Sequence, residues 1–207
     1  QSMAEKKKPI ILSTGMSTLD EIEEALEIIR EKGVEDIVLL HCVTSYPTKI
    51  EDANLRTMET LRHRFELPVG FSDHTLGIII PIAAAALGAV LIEKHFTLDR
   101  TLSGPDHRAS LEPDELKDMV RAIRDVERAL GDGIKKPTED EERIKKVARR
   151  SIVAKVEIPK GAVITEKMLD FKRPGVGIEP KNLNEVLGRR AKKDIKPDEL
   201  ITFEKLV

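Results

Sequence analysis

The sequence predicts an α/β fold in which parallel strands alternate with helices. Three observations support this prediction: short apolar runs recur along the first 130 residues, each run is followed by a helical pattern, and polar residues stand where the runs end. The predicted strands are Pro9–Ser13, Asp36–Cys42, Pro68–Ser72 and Ala89–His95. Runs that are largely apolar and are followed by helices are typical of parallel strands covered on both faces. The pattern fits either an open sheet or part of a barrel.

The helices that follow these strands have their own signals. The first opens after Ser17 and Thr18, which precede acidic residues, and it stops at Gly33. The third is rich in alanine, and the fourth is long. The predicted helices are Leu19–Lys32, Asn54–Arg64, Ile79–Leu87 and Pro113–Leu130.

The pattern of the sequence changes after residue 130, which predicts a second domain. A segment with two glycines, a proline and a dense run of charges follows, and we interpret it as a solvated connector or a surface helix. Beyond it, Ser151–Val156 and Asp194–Phe203 are predicted short strands, and they are separated by turn signals. The predicted organisation is a first domain over 4–130, a linker over 131–150 and a small second domain over 151–207.

Composition excludes several classes of function. With 35 basic and 37 acidic residues and 3% aromatics, the composition gives no general reason to expect nucleic acid or an acidic membrane as a partner. Its single cysteine, Cys42, rules out an internal disulfide and disfavours a cysteine-based zinc site. The longest apolar stretch, Ile78–Ile92, is too short to span a membrane, and the start carries no signal peptide, so we expect a cytoplasmic protein. We interpret Gln1-Ser2-Met3 as the remnant of an expression tag.

Two histidines stand at the ends of consecutive predicted strands. His74 follows the third apolar run, and His95 ends the fourth. Because ligands bind at the carboxyl ends of the strands in α/β folds, the two imidazoles could converge on one ion. Imidazole suits zinc, manganese, iron or cobalt, and two protein nitrogens leave positions open for water and substrate. The alternatives are structural histidines that only form hydrogen bonds, with Asp73 either orienting a metal ligand or serving as a turn residue.

Hydroxyl residues also follow the predicted strands. They are Ser13, Thr14, Thr44 and Ser72. Hydroxyls and adjacent backbone N–H groups can bind an anionic oxygen such as a phosphate oxygen, although such residues are also common turn formers. We expect His41 to pack near the site and His63 to be solvated on its helix. The polar loop over 103–108 is either a substrate lid or a connector.

An arginine in the second predicted domain lies on a constrained turn. Arg173 is followed by Pro174 and Gly175, and a further glycine stands at Gly177. A surface arginine usually has no specific partner. One held on a rigid turn is better placed to reach a neighbouring site and bind a carboxylate or a hydroxyl.

Five of these segments together resemble the sialic acid synthases, which include the N-acetylneuraminate, legionaminate and related nonulosonate synthases. The segments are Leu12-Ser13-Thr14-Gly15-Met16, His41-Cys42-Val43-Thr44-Ser45-Tyr46-Pro47, Gly70-Phe71-Ser72-Asp73-His74-Thr75, Glu93-Lys94-His95-Phe96-Thr97 and Gly104-Pro105-Asp106. Residues 151–207, with Lys172-Arg173-Pro174-Gly175, resemble the antifreeze-like (SAF) domain that ends those enzymes. The resemblance implies the C-terminal half of a TIM (β/α)8 barrel, made of four βα units, followed by a small β-rich SAF domain.

The resemblance also implies a reaction and a cofactor. Phosphoenolpyruvate would condense with the open-chain aldehyde of an N-acetylated amino sugar, such as N-acetylmannosamine, with release of phosphate. The cofactor would be a divalent metal, in most cases Mn2+, with Mg2+ or Co2+ as alternatives. The alternatives from other classes are a non-catalytic saccharide-binding or interaction module and another metal-dependent α/β aldolase.

The family's functional residues map onto the segments quoted above. His74 and His95 match the two metal ligands, and Tyr46 and Asp106 match catalytic positions on the sugar side. Ser13 or Thr14, Thr44 and Ser72 match the positions that hold the phosphate of phosphoenolpyruvate, although the family often has asparagine at the position of Thr44. Arg173 matches the arginine that binds the sugar in trans, in the active site of the partner subunit of a swapped homodimer.

The chain contains only what resembles the last four strands of the family's barrel. The other half would carry a carboxylate and the lysines that bind phosphoenolpyruvate. We therefore expect a truncated synthase that retains metal ligands but has little or no turnover. A half-barrel also leaves two open apolar edges, through which copies of the chain could associate.

Overall fold

The computed structural model of the protein describes residues 3–207. These residues form two compact units, the first ending at Gly133 and the second running from Ile134 to Val207. Of the three residues interpreted as a tag remnant, Gln1 and Ser2 lie outside the described residues. No helix within residues 3–207 has both the length and the apolar character needed to cross a membrane.

The first unit contains four strands and four long helices in alternation. The strands are β1 (Ile10–Ser13), β2 (Ile37–Cys42), β3 (Val69–Asp73) and β4 (Ile92–Lys94). The helices are α1 (Leu19–Glu31), α2 (Thr57–Phe65), α3 (Ile79–Ala86) and α4 (Pro113–Leu130). The strands pair in chain order β1-β2-β3-β4 and are all parallel, which confirms the predicted α/β fold. β4 is shorter than its predicted range of Ala89–His95.

Capping residues define where the helices begin. The Thr18 side chain accepts a hydrogen bond from the backbone N–H of Glu21, whose carboxylate accepts one from the backbone N–H of Thr18. This reciprocal capping box satisfies two N–H groups that a helix start leaves without partners. Gly33 follows the end of α1 with φ of +77°, a conformation in which glycine carries no steric cost.

The two faces of the sheet differ in what covers them. Residues paired across parallel strands point to the same face, and neighbours in the chain point to opposite faces. One face carries Leu39, Val69 and Phe71, which form a core with Leu26 and Met58 of the helices. The opposite face carries the alternate residues of each strand, which include the half-exposed Ile11 and the polar Ser72 and Glu93. Four consecutive βα units are half the number that closes a (β/α)8 barrel, and this second face corresponds to the barrel interior.

The second unit begins with a helix inside the segment predicted to be a linker. α5 (Glu139–Ala148) starts at Thr138, which forms a capping box with Glu141. Acidic residues fill its first turn and lysines its last, so the charges complement the helix dipole. Half of the predicted linker over 131–150 is therefore helical, in agreement with the interpretation of its charge run as a surface helix.

The remainder of the second unit is a small β-rich domain. β5 (Ser151–Ala154) pairs antiparallel with β6 (Leu169–Lys172), and a single-turn helix, α6 (Leu183–Val186), follows. The predicted strand over Asp194–Phe203 is wrong, because that segment makes only isolated bridges, such as Ile158 with Ile195. The turn at Lys196-Pro197-Asp198 interrupts it, with Asp198 at a φ of +66°.

Candidate functional site

The two histidines lie side by side at the carboxyl edge of the sheet. His74 follows β3, and His95 follows β4. Their ring centroids are 5.2 Å apart, with the ring planes at 70°. The ring of Tyr46, from the loop after β2, lies 4.0 Å from that of His74 and 5.6 Å from that of His95. The structure thus brings three predicted site residues from three loops into one cluster.

The side chain of His74 is oriented by one hydrogen bond. Its Nδ1 atom lies 2.9 Å from the backbone oxygen of Val43, which can only accept a hydrogen bond, so Nδ1 carries the proton. The lone pair of the neutral ring is then on Nε2, the arrangement that a metal-binding histidine needs. The ring is largely buried, and the thiol of Cys42 lies 3.8 Å from Nδ1.

His95 is more exposed than His74 and faces a carboxylate. Its Nδ1 atom lies 3.9 Å from Oδ2 of Asp106, which is too far for a direct hydrogen bond but within ion-pair range. Among residues 3–207 there is no cluster of three or more His, Cys, Asp or Glu side chains arranged to hold a metal ion. An ion held here would have the two imidazoles as its protein ligands and would leave positions open for water and substrate.

Tyr46 remains protonated at neutral pH. Desolvation raises the pKa of its phenol, and the charges of Cys42, Asp106 and Glu93 raise it further. A protonated phenol can donate a hydrogen bond to a ligand oxygen. This side chain is half-exposed, so a ligand bound at the two histidines can reach it.

The predicted phosphate-binding hydroxyls have different surroundings. Thr14 is buried, and its hydroxyl donates to the backbone oxygen of Leu40 at 2.8 Å, whereas Ser13 is exposed at the end of β1. Thr44 is exposed and packs over Gly15, where an added Cβ would lie 2.2 Å from the Thr44 Oγ1 atom. Of the Ser13–Thr14 pair, Ser13 has the hydroxyl that is available to a ligand.

Ser72 contacts a site residue that the sequence pattern was not used to identify. Its hydroxyl donates a hydrogen bond of 2.6 Å to Oε1 of Glu93. Ser72 and Glu93 are neighbours across β3 and β4, so both point to the face of the barrel interior. The period of two along β4 places Glu93 on the same face as His95, and this signal could have identified it from sequence.

Asp73 does not contact either histidine ring through a hydrogen bond. Its carboxylate accepts from the backbone N–H of Thr75 at 2.9 Å and from the ammonium of Lys94 at 2.7 Å. It therefore lies on the helix-facing side of the sheet, opposite the imidazoles. Of the two roles considered for Asp73, the bond from Thr75 two residues later is that of a turn residue, and neither of its contacts reaches an imidazole ring.

The polar loop after β4 is anchored at several points. The guanidinium of Arg100 donates to the backbone oxygen of Ser110 at 2.9 Å and pairs with Glu115 of α4. Nδ1 of His107 lies 2.8 Å from the hydroxyl of Thr97. Asp106 sits in this anchored loop with an exposed carboxylate that faces His95.

His63 is solvated on its helix as expected from sequence, whereas His41 packs on the opposite side of the sheet from the two imidazoles. His41 lies on the helix-facing side, and its Nε2 atom is 2.9 Å from the backbone oxygen of Ala53. Desolvation lowers the pKa of this buried imidazole. His63 is exposed on α2, 3.7 Å from Glu59.

Arg173 belongs to the second unit and lies on a braced loop. The buried hydroxyl of Ser151 donates to the oxygen of Pro174 at 2.7 Å and accepts from the N–H of Gly177 at 2.8 Å. The N–H of Gly175 donates to the oxygen of Lys146 in α5 at 2.9 Å. The guanidinium is exposed and makes no ion pair with any residue in the described range 3–207.

Comparison with known proteins identifies related families and relatives. The family model described as NeuB family matches residues 1–135, and the model described as SAF domain matches residues 149–207. An uncharacterized protein of Methanocaldococcus jannaschii is 50% identical over 207 residues, covering 100% of this chain and 61% of that protein. The N,N'-diacetyllegionaminic acid synthase of Campylobacter jejuni is 50% identical over 203 residues, covering 97% of this chain and 61% of the enzyme. The chain thus spans about three fifths of the length of these relatives.

A solved structure shows the same architecture. The crystal structure of N-acetylneuraminic acid (sialic acid) synthetase from Leptospira borgpetersenii, in complex with citrate, is 43% identical with a TM-score of 0.63. The match covers 69% of this chain and 50% of that one.

Proposed function

The chain belongs to the NeuB family, and from that premise we propose that it is part of a sialic acid (nonulosonate) synthase. Its fold is a half-barrel of four βα units and an SAF domain, as the sequence predicted. The proposed reaction condenses phosphoenolpyruvate with the open-chain aldehyde of an N-acetylated amino sugar and releases phosphate. The relatives named as legionaminic acid and N-acetylneuraminate-9-phosphate synthases support this proposal.

The pair of His74 and His95 is the observation that carries the proposal. Two imidazoles with ring centroids 5.2 Å apart, one with its Nε2 lone pair set free by a backbone hydrogen bond, suit a divalent ion. We propose Mn2+ as that ion, with Mg2+ or Co2+ as alternatives. When bound, the ion would supply Lewis-acid polarisation of the sugar aldehyde.

The other site residues would bind and orient the two substrates. The phenol of Tyr46 donates a hydrogen bond, and the carboxylate of Asp106 accepts one from a sugar hydroxyl. The hydroxyls of Ser13 and Thr44 are exposed and free to meet a phosphate oxygen. Ser72 must turn its hydroxyl away from Glu93 before it can do so.

The half-barrel accounts for the expected loss of turnover. In the proposed complete enzyme, the other half of the barrel supplies the lysines that balance the charge of phosphoenolpyruvate. Alone, this chain is proposed to bind the metal with little or no turnover. We further propose that the chain forms a homodimer, in which Arg173 of one subunit binds the substrate sugar in the active site of the partner subunit. A cytoplasmic location is also proposed, since the named relatives are biosynthetic synthases.

Metal titration tests the proposal. We expect Mn2+ to bind the chain and raise its unfolding temperature, because an ion that binds only the folded state stabilises it. His74→Ala and His95→Ala should each remove the effect. Mn2+ binding is measured by calorimetry and unfolding by circular dichroism, with and without phosphoenolpyruvate.

The exposed His63 provides a matched control, since its removal deletes an imidazole far from the strand ends. His63→Ala should leave Mn2+ binding unchanged. Wild-type chain that shows no Mn2+ binding, or equal binding by all three variants, would contradict the metal site and favour a non-catalytic binding module.

A further inference from the structure

A buried ion pair lies directly behind the two histidines. The Lys94 ammonium is 2.7 Å from Oδ2 of Asp73, and the two side chains are 3% and 0% exposed. They are direct neighbours across the last pair of β3 and β4 residues. Each is followed immediately in the chain by one of the histidines. The pair therefore joins the two strands at the point where the imidazoles leave the sheet.

The same two side chains also hold the backbone beyond His74. Oδ1 of Asp73 accepts the N–H of Thr75 at 2.9 Å, and the Lys94 ammonium donates to the backbone oxygen of Thr75. His74 itself is bound through its backbone oxygen, which accepts the N–H of Thr48 at 2.9 Å. His74 therefore lies between Asp73, a member of the ion pair, and Thr75, whose backbone N–H and oxygen both bond to that pair.

Stability alone does not explain charges at this position. Taking an ion out of water costs several kcal/mol, and well-packed apolar residues of similar size often do as well or better. The neighbouring positions on this face, Leu39 and Phe71, are apolar and packed against the helices. Thr75 is 0% exposed, and its hydroxyl has no hydrogen-bond partner among the described residues. The segment therefore keeps buried charged and polar groups at positions where apolar side chains would also allow the chain to fold.

We propose that Asp73 and Lys94 are positioning residues that set the separation and direction of His74 and His95. The ion pair and its backbone hydrogen bonds are directional, whereas apolar contacts are not. The pair thereby determines the metal affinity of the site. This inference rests on the proposed function, because it takes the two histidines to be the metal ligands.

A neutral replacement of the pair tests the inference. In Asp73→Asn with Lys94→Met, the side chains keep similar sizes, and the new amide oxygen still accepts the N–H of Thr75. We expect the metal-free double variant to keep the wild-type fold by circular dichroism. Its dissociation constant for Mn2+, measured by calorimetry and by the electron paramagnetic resonance of free Mn2+, should rise about 10- to 100-fold.

A second ion pair of the same construction serves as the control. Lys205, which is mostly buried, lies 2.8 Å from Oε1 of Glu199 and also donates to the backbone oxygen of Leu200. Lys205→Met with Glu199→Gln should leave the Mn2+ dissociation constant unchanged. A folded Asp73/Lys94 double variant that binds Mn2+ as tightly as the wild type would overturn the inference.

Two further measurements apply if the double variant does not fold. Lys94→Gln keeps a donor for the Thr75 oxygen but lacks the charge, and it should weaken Mn2+ binding by a smaller factor. In the wild type, the amide proton of Thr75 should exchange with solvent as slowly as the amide protons of β3. Exchange at the rate of an exposed loop would show that Asp73 does not hold the backbone at Thr75, and this result would overturn the inference. Failure of the proposed function is distinct, because the unmodified chain would then bind no Mn2+.

Discussion

Gly15 shows how close the packing is at the scale of single residues. A Cβ at this position would lie 2.2 Å from the Thr44 hydroxyl and 3.2 Å from the Cys42 thiol. The loop after β1 therefore meets the end of β2 with no room for a side chain. Two of the proposed phosphate-binding residues, Ser13 and Thr44, lie on the two segments that meet at this contact.

We predict that Gly15→Ala destabilises the chain by about 1–3 kcal/mol, because overpacking forces neighbouring atoms to move. Urea unfolding followed by circular dichroism measures the loss. Adding Thr44→Ala removes the nearest atom and should restore part of the stability, which a double-mutant cycle reports as coupling. Additive effects of the two substitutions would show that the clash is absent in solution.

The strand-end residues illustrate what could be predicted residue by residue. His74, His95 and Tyr46 lie in one cluster, as their positions after neighbouring strands suggest. The contact between Ser72 and Glu93 was missed, although the alternation along β4 contained the signal. The partners of Asp73 could not be predicted, because they depend on the register between β3 and β4.

At the scale of secondary structure elements, α5 lies in the segment whose charge pattern fits either a solvated connector or a surface helix. Its capping box joins Thr138 and Glu141, and the Thr138 hydrogen bonds lower the pKa of the Glu141 carboxyl. The last turn of α5 accepts the N–H of Gly175 through the oxygen of Lys146. The helix therefore supports the loop that carries Arg173.

We predict that Thr138→Ala lowers the stability of α5 by about 1 kcal/mol through loss of the N-cap. The carbon chemical shifts of residues 139–148 and the unfolding transition of the second unit report the change. Thr165→Ala is the matched control, because Thr165 precedes a short 3-10 helix without a side-chain cap bond. Equal effects of the two substitutions would indicate that 131–150 is an unstructured linker in solution.

The other elements show where sequence patterns suffice and where they do not. Apolar runs followed by helices specified β1 to β4, because strands covered on both faces leave a strong pattern. The sequence pattern did not predict β6, and it predicted a strand over Asp194–Phe203 where the structure has only isolated bridges. Short strands in a small domain carry few apolar residues each, so their local pattern is weak. Their pairing is decided by partners distant in the chain.

At the scale of the whole chain, the sheet of the first unit has two unpaired edges. Within residues 3–207, β1 pairs only with β2, and β4 pairs only with β3. Ile11, on the face that corresponds to the barrel interior, is 55% exposed. Exposed strand edges beside apolar surface favour pairing with another chain.

We predict that the isolated chain associates at micromolar concentration, so that light scattering gives a mass above that of a 23.2 kDa monomer. Ile11→Lys should reduce the association, because a charge on this apolar face opposes burial. Ile50→Lys, which changes an exposed isoleucine in a short 3-10 helix, should not. A well-behaved wild-type monomer would contradict the prediction.

Local sequence patterns were sufficient to predict the α/β class, the four parallel strands and the residues at their carboxyl ends. These features follow from local apolar runs and from chemistry at fixed positions, which need no knowledge of distant contacts. The contacts between side chains became visible only in the folded chain: the hydrogen bond that frees Nε2 of His74, the pairing of Ser72 with Glu93, and the buried ion pair of Asp73 and Lys94. Such contacts join residues 21 to 31 positions apart, and they depend on strand register and on burial. Neither quantity is visible in a local pattern.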